Sequence, residues 1–119
     1  MTDSDEMAGV LETFVEQFNH SAELPRMTAG WDRTILIRAQ DAAWAHGLRV
    51  EEGAIRALPA AALPAEAEIV LEGSADTLAS IFRGELSPTE PYLDGTLLVR
   101  SSESDMMKLD VFTLMVWGE

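Results

Sequence analysis

The sequence predicts a single α+β domain spanning residues 1–119: a five-stranded, mostly antiparallel sheet with helices on one face. Three observations carry that prediction. An N-terminal segment spaces its apolar side chains at the helical period. Three short runs with period two follow, separated at hairpin lengths. From residue 67 onward strands and helices alternate, and two of the helices open on a Ser and close on a Gly. Hairpins in one block and helices in others are the pattern of a segregated α+β fold.

Met7, Val10, Leu11, Phe14, Val15 and Phe18 follow the i, i+3, i+4, i+7 rule. They predict an amphipathic helix over residues 4–20, with an acidic start that suits its dipole. Pro25 and Gly30 mark the loop after it. Strands are expected at Thr34–Gln40, Trp44–Glu51 and Ala54–Leu58. Their inward set is Ile35, Ile37, Ala39, Trp44, His46, Leu48, Val50, Ile55 and Ala57. Arg38, Arg49 and Arg56 face outward, where acidic residues such as Glu68 and Glu72 can pair with them across strands. An anion site is the other reading of those arginines, and exposed charge patterns are weak support for one. After the proline-bounded loop "PAAALPAE", Ala67–Glu72 is the fourth strand, with Ile69 and Leu71 inward.

Ser74 caps the next helix, whose core positions are Leu78, Ile81 and Phe82 and whose end is Gly84. Ser87, Pro88 and Glu90 open a short helix that Gly95 terminates. Thr96–Ser101 is the fifth strand, and a last helix begins near Glu103.

Composition limits the function classes. Twenty-one acidic residues against eight basic ones give a net charge of −13, which repels nucleic acid and anionic bilayers. The chain has no cysteine, so thiol and disulfide chemistry are excluded. Pro59 and Pro64 interrupt the Ala-rich stretch, and no apolar run approaches the ~20 residues of a membrane span. The acidic start "MTDSDEM" is unlike a secretory signal, so a cytoplasmic location is expected. Two distant histidines provide no metal-ligand spacing. Neither a Ser–His–Asp arrangement nor a glycine-rich phosphate loop can be assembled. No catalytic residue, metal or cofactor is assigned.

The last helix has an unusual pattern. Met106, Leu109, Phe112 and Val116 share one side with Thr113, and Met107, Val111, Leu114 and Met115 share the other. Lys108 and Asp110 occupy the seams. One stripe can cover the sheet; the second needs a partner chain, a cavity or solvent, unless the helix is buried all round.

Residues 67–109 resemble the core of the sterol carrier protein domain family. The matching positions are Gly84, Leu86, Pro88, Gly95, Leu97, Val99, Met107, Lys108 and Leu109, without a gap from 84 to 109. Ser101 and Ser102 stand where the family usually has Gly-Asp or Gly-Asn, and Thr96 and Leu98 replace strand lysines. The resemblance implies an apolar tunnel between sheet and helices that takes fatty acids, acyl-CoAs, sterols or other lipids. It implies a non-enzymatic binding, transfer or presentation role. It also assigns one stripe of the last helix to that tunnel, and the short helix to its wall.

The candidate ligand-binding residues are Trp44, His46, Phe82, Tyr92, Met106, Leu109, Phe112 and Val116. His46 is either a polar handle for a head group or a core histidine bonded to a backbone carbonyl. Tyr92 either bonds a ligand carboxyl or packs with its hydroxyl at the surface. His20 suits a helix C-terminus and needs no further role. Two other functions compete with lipid binding. One is an interaction module that dimerises or docks through the last helix. The other is a small cone-shaped isomerase, for which the inward strand faces supply no carboxylate.

Overall fold

The computed structural model describes residues 2–118. Helix α1 (Ser4–His20) leads through a one-turn helix α2 (Leu24–Met27) into strands β1 (Arg33–Ala39), β2 (Ala45–Glu51) and β3 (Ala54–Leu58). A 3-10 turn at Ala60–Ala62 precedes β4 (Ile69–Gly73). Helices α3 (Ala75–Phe82) and α4 (Thr89–Asp94), strand β5 (Leu98–Arg100) and helix α5 (Glu103–Trp117) complete the domain.

The sheet order is β3-β2-β1-β4-β5. β1 and β4 run parallel, and every other pair is antiparallel. The two hairpins follow from the short links at 40–44 and 52–53. Glu52 and Gly53 both have positive φ, so the second link has the twist that suits a two-residue hairpin. The parallel pair requires a crossover, and residues 59–68 provide it.

One apolar cluster lies on the inner face. It joins Met7, Leu11 and Phe18 of α1 to Ile35, Ile37, Leu48, Val50, Ile55 and Ile69 of the sheet, and to Leu78, Ile81, Phe82 and Phe112 of α3 and α5. These are the helical and period-two positions expected from the sequence. Ala57 is the exception among the inward set: it sits on the edge strand and is exposed.

The outer face has its own apolar row. Leu58, Gly47, Leu36 and Val70 stand side by side across four strands. Leu36 is 2% exposed although β1 alternates Arg and Thr on this face. The crossover covers it. A Cβ placed on Gly47 would come within 2.7 Å of Leu63, so glycine admits the crossover at close approach. Arg38 donates to the Ala65 carbonyl of the same segment. Arg49 and Arg56 approach Glu51, and Arg100 approaches Glu72. Arg56 is exposed, whereas Arg38 and Arg49 are half-buried.

Strand ends differ from expectation where other groups take the ladder bonds. Glu68 lies outside β4 because its side chain, not its backbone, accepts the Thr34 N–H at 2.8 Å. Thr96 and Leu97 lie outside β5 because both N–H groups turn back to the Pro91 carbonyl. Trp44 lies just before β2, although its carbonyl still accepts the Ala39 N–H at 3.2 Å. Helix ends follow the sequence signals more closely. Ser74 Oγ accepts from Thr77 N–H, and Gly84 and Gly95 have φ of +81° and +86°; the start of α4 is the exception, since its N-cap is Pro88 rather than Ser87 and makes no side-chain cap bond.

Candidate ligand cavity

A cavity of about 400 Å³ lies between the inner face of the sheet and the helices. Ile35, Leu48, Val50 and Ile55 form its floor. Phe14 and Phe18 of α1 and Ile81 and Phe82 of α3 form one wall. Met106, Leu109, Phe112, Thr113 and Val116 of α5 form the roof, and Tyr92 and Leu93 of α4 stand at the side.

The space persists because α5 is tied at its ends. At the first turn, Ser102 Oγ accepts the Asp105 N–H, and the buried Asp105 carboxylate receives three donor contacts. Trp31 Nε1–H donates to it at 2.8 Å, and Arg33 Nε–H lies 3.0 Å from both oxygens. Burial pushes the Asp105 carboxyl up, but the bonds from Arg33 and Trp31 and the Arg33 charge outweigh that and hold it below the usual carboxylate range. Arg33 and Lys108 also sit 5.7 and 5.9 Å from the Trp31 ring centre. At the last turn, Trp117 Nε1–H donates to the Ile81 carbonyl at 2.9 Å. Between these ties aromatic rings hold the walls apart. Phe14 meets Phe82 edge-on at 5.0 Å and stacks on Trp117 at 6.2 Å, and Trp31 meets Phe112 at 5.5 Å.

Several polar lining groups are satisfied within the protein. Thr28 Oγ donates to the Leu24 and Pro25 carbonyls, Thr113 Oγ to Leu109, and Trp31 to Asp105. The exposed members of the lining are Tyr92, Leu93 and Asp110, so the mouth lies between α4 and α5.

Of the eight residues expected at a site, the structure brings six together around this space: Phe82, Tyr92, Met106, Leu109, Phe112 and Val116. Trp44 and His46 lie elsewhere. They sit further along the sheet from Leu48, beneath the start of α1. Trp44 Nε1–H donates to the Thr2 carbonyl at 3.1 Å, and His46 Nε2 is hydrogen-bonded to Ser4 Oγ at 3.1 Å. Their rings meet edge-on at 5.4 Å. Burial lowers the His46 pKa, partly offset by Ser4. Period-two spacing identified their face but not their place along the strand.

Asp105, Arg33 and Trp31 were missed as a cluster. Asp105 stands three residues after Ser102 as a capping pair, and only the fold reveals that its carboxylate turns away to Trp31. The other α5 stripe is exposed, with Met107 at 70% and Leu114 at 60%. The helix is therefore not buried all round. Among the described residues, no group of three or more His, Cys, Asp or Glu could hold a metal, and no helix is long and apolar enough to cross a membrane.

No protein-family model and no curated protein matches the chain. Solved structures do. The sterol carrier protein domain 2 of Helicoverpa armigera has a TM-score of 0.73 at 12% identity, over 93% of this chain and 87% of that one. The ubiquinone synthesis protein UbiJ-SCP2 has a TM-score of 0.64 at 14% identity, over 100% and 98%. The sec-alkyl sulfatase PisA1 has a TM-score of 0.66 at 16% identity, over 92% of this chain but only 16% of the sulfatase. The sheet order, the helices gathered over its inner face and these structural relatives together give the chain the fold of a sterol carrier protein 2 domain.

Proposed function

We propose that the protein is a non-enzymatic binder of a hydrophobic small molecule, held in the cavity between the sheet and α5. The observation that carries this is the apolar space of about 400 Å³. That volume is at the lower end of small-molecule sites, roughly 300–1,000 Å³, and suits one lipid chain. Partitioning is the mechanism. Each buried methylene contributes ~0.8 kcal/mol, so a sixteen-carbon chain gains roughly 10 kcal/mol gross. Ordering and immobilising the ligand offset much of this, which leaves an affinity on the order of micromolar. Fatty acids, acyl-CoAs, sterols and other lipids are the classes to test, and the role is carriage or presentation.

Fluorescence titration with an uncharged apolar probe tests the reading. Val116→Trp, which fills the roof, is expected to abolish binding while leaving the melting temperature within a few degrees of wild type. Phe112→Ala is expected to weaken the probe more than its effect on stability explains. Leu114→Ala, on the exposed stripe, should change neither. Unchanged binding in Val116→Trp would overturn the proposal.

The exposed stripe supports a second reading, docking or homodimerisation through α5. Met107, Val111, Leu114 and Met115 are all at least 40% exposed. Sedimentation distinguishes the two: a stable dimer that Leu114→Glu dissociates favours the interaction module.

A further inference from the structure

We infer that the cavity selects ligands whose head group carries no negative charge and donates hydrogen bonds, such as a single-chain alcohol or amine. This rests on the cavity reading above and adds the chemistry of the mouth. None of the eight basic residues lines the cavity. Four of the arginines, Arg38, Arg49, Arg56 and Arg100, make their polar contacts around the outer face or edge of the sheet. Arg83 pairs with Glu6 at 2.6 Å. Arg26 is exposed on α2. The two cations nearest the roof are already engaged: Arg33 with Asp105, and Lys108 with the Met27 carbonyl at 2.9 Å.

The mouth itself is acidic. Among the described residues, Asp110 is the charged member of the lining, and it is exposed between Met106 and Thr113 on α5. Helices α4 and α5, which frame the opening, carry Glu90, Asp94, Glu103 and Asp110 against the single Lys108, besides the buried Asp105 that Arg33 already pairs. An apolar chain inserted between them leaves its head group beside Asp110. A carboxylate or a phosphate there meets like charge with no cation to answer it. A hydroxyl or an ammonium can donate to the Asp110 carboxylate. At contact distance in a partly wet site, one unit charge changes binding by roughly tenfold in either direction.

The experiment displaces a bound uncharged fluorescent probe with dodecanol, dodecylamine and dodecanoate at neutral pH and low salt, using wild type and Asp110→Asn. Wild type is expected to bind dodecanoate at least tenfold more weakly than dodecanol, and dodecylamine at least as tightly as dodecanol. Asp110→Asn is expected to narrow the dodecanoate gap severalfold, to weaken dodecylamine most, and to weaken dodecanol less, because the Asn carbonyl still accepts from a hydroxyl but without the charge. The variant comparison separates the Asp110 charge from the general cost of dehydrating a carboxylate. Equal binding of dodecanoate and dodecanol, or a gap that Asp110→Asn does not move, overturns the head-group inference and leaves the cavity reading standing. If the probe and all three compounds fail to bind, both fall.

Discussion

Asp105 is buried with Trp31 and Arg33 as its donors, so folding favours its ionised form. A carboxyl whose folded pKa lies below its unfolded value, about 3.9, stabilises the protein above that value. The contribution is lost as pH falls through the folded pKa. Asp105→Asn keeps an acceptor for Trp31 but leaves Arg33 without its countercharge. The expected loss at neutral pH is ~1–3 kcal/mol, below the range for a fully buried pair because Arg33 is 32% exposed. Denaturant titrations across acid pH check the sign: below about pH 4 wild type should lose stability more steeply than the variant. His46 acts in a different window. Its folded pKa is lowered by burial, so it weakens the fold as pH falls below about 6.5, and His46→Gln should flatten that segment alone.

Helix α5 connects packing to function. Its two ends are fastened, by Asp105 at one and by Trp117 at the other, and the turns between them roof a space rather than fill a groove. Trp117→Phe keeps the ring stacked near Phe14 but removes the donor to Ile81. The expected destabilisation is about 1 kcal/mol. Amide exchange should accelerate in the last two turns of α5 and not in β1 or β4. Uniform acceleration would contradict the view that this bond fastens one end. The doubled stripe of this helix was legible as a pattern, and Met106, Leu109, Phe112 and Val116 do share the cavity side. Spacing on one helix contains no information about where it docks, so the pattern alone does not say which stripe faces the space.

At the scale of the molecule, local signals carried the architecture further than the site. Capping residues and period-two runs located the main helices and all five strands, because those depend on neighbours a few residues apart. Strand order, the parallel β1–β4 pair and the outer apolar row do not. Leu36 and Gly47 make sense only once residues 59–68 cross over them. Trp44 and His46 were placed on the correct face and the wrong end, since position along a strand depends on where α1 lands. Arg33, Trp31 and Asp105 meet across more than seventy residues of chain. The central claim, that the space under α5 holds one hydrophobic ligand per chain, is tested most directly by native mass spectrometry of freshly purified wild type beside Val116→Trp. The account predicts a monomer carrying one small apolar molecule that organic extraction removes, and an empty monomer for the variant. A wild type that carries no ligand, takes up no apolar probe and flies as a dimer would contradict it.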